Sequence, residues 1–137
     1  MTIPNRRKLI ILVLVIGVIV CATAILLLSK GPAGLAITIE NNTQIDVTGL
    51  QISYEHITKD IEIPDIKAGT SYRLVVNPTE NFGENHMLLY YLDKTGTKQS
   101  EIIVGYFEKG YSGKVNVKIK SVNDKGVFQL DVDEDIL

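Results

Sequence analysis

Tryptophan is absent from this chain, histidine occurs twice, and the single cysteine, Cys21, lies among apolar residues near the N-terminus. Beyond Gly34 there is no cysteine, so no disulfide staples that part and no thiolate serves there as nucleophile or metal ligand. The two histidines, His56 and His86, are flanked by Glu55 and by Asn85 and Met87, and their spacing matches no zinc pattern. They also leave poor material for a Ser-His-Asp triad, and Ser53, Ser71, Ser100 and Ser112 lack a nucleophile-elbow context. No phosphate-cradling glycine loop occurs. The expectation is a chain that is not an enzyme and takes neither a cofactor nor a metal.

Acidic residues are missing from the start of the chain. All 16 lie beyond Gly34, with only 10 of the 14 basic ones, so residues 35–137 carry a net charge of −6. That balance excludes nucleic acid as a partner and works against adhesion to anionic lipid headgroups.

The longest apolar run is Leu9 to Leu28, twenty uncharged residues of which only Thr23 is appreciably polar. As a helix rising about 1.5 Å per residue, it spans about 30 Å, the hydrocarbon thickness of a bilayer. Arg6, Arg7 and Lys8 precede it and only Lys30 stands closely behind it. This asymmetry predicts a cytoplasmic N-terminus over residues 1–8, a transmembrane signal anchor over 9–28, a linker over 29–34 and an extracytoplasmic domain over 35–137. Cleavage after Ala22-Thr23-Ala24 would leave Ile25-Leu26-Leu27-Leu28 as a greasy new terminus, so an uncleaved anchor fits better. Val18-Ile19-Val20 before Cys21 does not match a lipid-attachment site, which wants a small residue there. A cysteine-free domain on the oxidising side of a single membrane points to the surface of a Gram-positive bacterium. Asn41-Asn42-Thr43 has the form of a glycosylation acceptor, a triplet that also arises by chance.

After the linker the pattern is strand upon strand. Leu35, Ile37 and Ile39 alternate with Ala36, Thr38 and Glu40, which reads as a half-buried edge. Leu50, Ile52 and Tyr54 alternate too, with Gly49 marking a bend after Ile45 and Val47. Ile57, Ile61 and Ile63 share a face until Pro64, and Tyr72, Leu74 and Val76 form another run. Met87 to Leu92 is apolar on both parities, as in a central strand covered on two sides. Ile102 with Val104, Val115 with Val117 and Ile119, and Phe128 with Leu130 and Val132 complete the series. Asp93-Lys94-Thr95-Gly96 and Asn123-Asp124-Lys125-Gly126 supply turns. The expected fold is all-β: an antiparallel β-sandwich, immunoglobulin-like, of about 7–9 strands. A small antiparallel β-barrel is the alternative, because periodicity does not distinguish them.

The segment from Gly105 to Gly113 concentrates glycine and aromatic residues, and its Tyr106, Phe107 and Tyr111 would make an exposed partner-contact loop. A plainer expectation is that Tyr111 packs over the end of the sandwich with its hydroxyl bonded to backbone, as in a tyrosine corner. Asp131, Asp133 and Asp135 lie on one side of an extended strand, better suited to protecting an edge than to holding Ca²⁺. Two functions remain. The first is a protein-binding module at the cell envelope, a secretion accessory or an immunity-type partner for another envelope or secreted protein. The second is a small-ligand or wall-polymer binding or sensing domain, for which the missing tryptophan is a handicap in sugar stacking.

Overall fold

The structure, a computed structural model, describes residues 10, 13–20 and 33–137. The chain divides between Pro32 and Ala33 into two units. In the first, residues 13–20 are helical, with exposures from 49% at Val15 to 69% at Val18. Among the described residues no helix is long and apolar enough to cross a membrane. The rest of the span expected over 9–28, with Arg6, Arg7, Lys8, Cys21 and Lys30, lies outside the described residues.

The second unit forms eight strands along the alternation of its apolar residues. They are β1 (Leu35–Asn41), β2 (Gln51–Tyr54), β3 (Ile61–Glu62), β4 (Ser71–Val76), β5 (Asn85–Leu92), β6 (Lys98–Phe107), β7 (Gly113–Val122) and β8 (Phe128–Ile136). Two four-stranded sheets result, a first in the order β4-β1-β7-β8 and a second in the order β3-β2-β5-β6. The arrangement is sandwich-like, and neither sheet closes into the alternative barrel. Each sheet turns one apolar face inward. Leu35, Ile37, Ile39, Val115, Val117 and Ile119 are 0% exposed in the first, and Ile52, Met87, Leu89 and Val104 are 0% exposed in the second. Among the described residues, the buried core cluster is made by this unit.

Four expectations need correction. The sandwich is not purely antiparallel, because β1 runs parallel to β7, from Leu35 opposite Gly113 to Asn41 opposite Ile119. β1 is also no edge: β4 flanks its other side, and even Ala36 is buried. Ile45 and Ile57 lie outside strands, and Val47 makes a single bridge with Ile66 before the chain bends at Gly49 with φ of 72°. In β6 the alternation breaks at a register shift, so Ile102 is 54% exposed while Ile103 and Val104 both turn inward. An inserted residue in an edge strand produces such a bulge and re-aims the side chains beyond it.

Polar groups buried at the ends are fully engaged. Asn41, 0% exposed, donates its amide to the carbonyls of Ile45 and Ile66 at 2.8 and 2.9 Å and accepts from the N–H and hydroxyl of Thr43. A glycan on Asn41 is incompatible with this packing, so the Asn41-Asn42-Thr43 triplet is a turn device in the folded domain.

Candidate functional site

The glycine- and aromatic-rich stretch is not one loop. β6 continues through Phe107, leaving only Glu108 to Ser112 as the connection to β7. Phe107 is 1% exposed and packs edge-on against Phe82 at 5.4 Å and Tyr54 at 6.0 Å, so it belongs to the core and not to a contact surface. Tyr106 is 45% exposed and meets half-buried Tyr111 edge-to-face at 6.0 Å. The Tyr106 hydroxyl donates to the Glu108 carboxylate, which pushes its pKa up. The irregular register of β6 against β5 accompanies this split, turning Phe107 in and leaving Tyr106 out. Gly113 is required by close approach, since a Cβ there would stand 2.3 Å from the carbonyl oxygen of Asp135.

The hydroxyl-to-backbone bond expected of Tyr111 is made instead by Tyr91, whose oxygen accepts the N–H of Phe128 at 2.8 Å. Its ring stacks on Phe128 at 4.2 Å, tying one sheet to the other. Nothing in a run that is apolar on both parities singles out Tyr91 or says which N–H it meets. His56 and His86 are brought to one end of the second sheet, where Asn85 clasps both the N–H and the carbonyl of Glu55. Among the described residues no group of three His, Cys, Asp or Glu side chains is placed to hold a metal.

The acidic tail is the outermost strand of the first sheet. Asp131, Asp133 and Asp135 stand opposite Lys118, Asn116 and Lys114, and Lys120 reaches Asp131 at 2.9 Å, holding its carboxyl below the usual range. Arg73, Thr38 and Asn116 form a neighbouring row, as do Ser71, Glu40 and Lys118. Apart from Ala36 and Val75, this outer face is a lattice of charges and polar groups, well suited to water.

The outer face of the second sheet differs. Leu88, Tyr90 and Leu92 point outward from β5, opposite Ile102, Ser100 and Lys98 of β6. The cover expected on both sides of Met87 to Leu92 is therefore present on one side only: Leu92 is 67% exposed and Ile102 54%. At the centre, the Tyr90 hydroxyl lies 2.5 Å from both Gln51 Oε1 and Asp60 Oδ2. One phenolic proton serves one acceptor, and the carboxylate is the stronger. That bond, then burial and the Asp60 charge, push Tyr90 up to about 12, while bonds from Ser53 and Tyr90 hold Asp60 low. The Lys98 ammonium sits 3.6 Å above the Tyr90 ring. The ring is thus clamped at its edge and over its face, between three exposed or half-buried aliphatic side chains. Its outward exposure was not legible in a run that is apolar on both parities, and its network joins β2, β5, β6 and the approach to β3.

A shallow hollow beside β1 and β4 is lined by Glu40, Asn42, Gly69, Thr70 and Ser71. It is open and polar, without the apolar walls that a small-molecule site uses.

No family model and no curated protein matches this chain. It is similar to a solved NMR structure of a protein from Eubacterium rectale, with a TM-score of 0.45 and 14% identity over 76% of this chain and 92% of that one, a likeness too slight to bear on function.

Proposed function

We propose that this chain is a single-pass, membrane-anchored, extracytoplasmic protein-binding module of the cell envelope, and that it engages its partner through the outer face of the second sheet. The observation that carries this reading is the apolar centre of that face: Leu88, Tyr90, Leu92 and Ile102, ringed by Gln51, Asp60, Lys98 and Ser100. An immobilised tyrosine among aliphatics with a polar rim is the composition of an interface centre. Covering a leucine or isoleucine of this kind contributes on the order of 1–3 kcal/mol, whereas a surface ion pair contributes about 0–1 kcal/mol. The second face therefore gains more than the first from being covered.

The anchor over 9–28 and the basic cluster Arg6-Arg7-Lys8 support the topology, and restriction to the membrane raises the effective concentration of a binder there. The immunoglobulin-like comparison rests on a two-sheet architecture without the cysteine pair or the tryptophan. A secretion accessory and an immunity-type partner both fit this scheme.

The test is photo-crosslinking in intact cells, with a photoreactive residue at Leu92 or Ile102 and, as controls, at Asn116 or Lys118 on the first sheet. Discrete adducts confined to the first pair support the reading. Equal labelling from all four positions, or none, rejects it.

A further inference from the structure

Because neither sheet closes, the sandwich has four open edges, and three of them are guarded. β3 is only two residues long. β6 is broken by two register shifts, and its Gly105 N–H is occupied by Glu134 Oε2 at 3.2 Å. β8 carries Asp131, Asp133, Glu134 and Asp135, with Glu134 turned toward the core side, the inward-pointing charge that edges use against pairing. β4 has none of these devices. Its six residues pair with β1 without interruption from Val76 opposite Leu35 to Ser71 opposite Glu40, and they include no proline and no acidic residue.

Its free backbone groups can be identified. The N–H of Asn41 donates to the carbonyl of Thr70 at 2.9 Å, so the hydrogen-bonded pairs of this ladder fall on Ile39 with Tyr72, Ile37 with Leu74 and Leu35 with Val76. Ser71, Arg73 and Val75 then direct their N–H and C=O groups to the open side. Tyr72 and Leu74 are only half-buried at this margin, Val75 is 49% exposed, and Arg73 makes no ion pair among the described residues.

We propose that the β4 edge accepts an extended segment of a different polypeptide as an additional strand of the first sheet, with apolar side chains covering Tyr72 and Leu74 and an acidic side chain opposite Arg73. Main-chain bonds supply the affinity in such strand addition, and alternate side chains supply the selectivity. A second copy of this chain is the wrong occupant. In the symmetric antiparallel register centred on Arg73, that residue would face the Arg73 of the other copy, and like charges directly opposite are destabilising. In the register centred on Leu74 it would face Val75, and β4 holds no acidic residue to pair with it. This edge belongs to the first sheet, so the proposal stands independently of the apolar face on the second.

The test selects a displayed library of random ten-residue peptides on the full chain in nanodiscs. Enriched peptides are expected to alternate apolar and polar residues around one acidic position. Their affinity should fall at least tenfold for Val75→Pro, which removes an outward N–H and leaves the β1 ladder intact. It should fall similarly for Arg73→Glu, which leaves the backbone donors in place, and a peptide with its acidic residue changed to lysine should recover binding to that variant. Leu92→Ser should leave it unchanged. No enrichment, undiminished binding to Arg73→Glu, loss in Leu92→Ser alone, or self-association abolished by Val75→Pro would each overturn the proposal.

Discussion

On the first sheet, lysine and asparagine of β7 stand opposite aspartates of β8, whereas on the second Leu88 stands opposite Ile102 and Leu92 opposite Lys98. Both faces come from the same period of two, and both cover the same core. The first gains nothing from losing its water, since each charge there already has solvent or an opposite neighbour. On the second, a clamped tyrosine holds aliphatic side chains in the open. Identical architecture therefore presents a charged face on one side and an apolar-centred face on the other, through side-chain chemistry alone.

The sharpest way to break this comparison lies within β5, where Leu88 and Leu89 point to opposite sides. Leu89→Ala, at a position 0% exposed, should lower stability by about 2–5 kcal/mol in urea unfolding. Leu88→Ser should cost about 1 kcal/mol or less and act on partner crosslinking instead. Similar losses at the two positions would mean that the outer face is covered in the intact protein.

Tyr90→Phe tests the clamp. Loss of the phenol bonded to Asp60 should destabilise by about 1–2 kcal/mol near neutral pH. Tyr90 is raised to about 12 in the fold, so its contribution is complete below the unfolded tyrosine value near 10 and disappears as pH rises toward 12. The stability gap between wild type and Tyr90→Phe should accordingly close over that interval. A gap that persists at pH 12 would locate the effect elsewhere.

Acid acts on both faces. Asp60 on the second and Asp131 on the first are held low, mainly by the Ser53 hydrogen bond and by Lys120 respectively, and Asp93 in the β5–β6 turn is lowered to about 2 by Thr95 and its neighbours. Each contribution is present above the unfolded aspartate value near 3.9 and is lost as pH falls through the lower folded value. The urea midpoint should decline from about pH 4 downward, and Asp93→Asn should flatten the lower part of that decline. The smallest effect belongs to the charged face: Lys118→Ala or Asp133→Asn should change stability by no more than about 0.5 kcal/mol, read from thermal melts.

Much of the fold was legible. Leu35, Ile37 and Ile39, and Val115, Val117 and Ile119, announce their inward faces by alternation, and Pro64, Pro78 and the Asp93 and Asn123 turns punctuate the strands. What alternation omits is the neighbour of each strand. β1 looks like an edge because Thr38 and Glu40 point outward, yet it lies between β4 and β7, which set Ser71 and Arg73 on one side of them and Asn116 and Lys118 on the other. The candidate face was misread for a related reason: apolar residues on both parities of β5 implied two covers, and the sequence contains no signal that one is missing. Tyr106, Phe107 and Tyr111 looked equivalent until the irregular path of β6 gave Phe107 to the core and left Tyr106 outside.

By itself the sequence determined the all-β class, most of the strands, the turns and the apolar run over 9–28, because each depends on periodicity or composition within one short segment. Only the tertiary structure decided that β1 pairs parallel with β7, that Tyr91 bonds the backbone of β8, that β4 is the unguarded edge and that Leu88, Tyr90, Leu92 and Ile102 share one open face. Those are relations between segments far apart in the chain. Hydrogen-bond register and bulges set them, and neither leaves a trace in the order of residues along one strand.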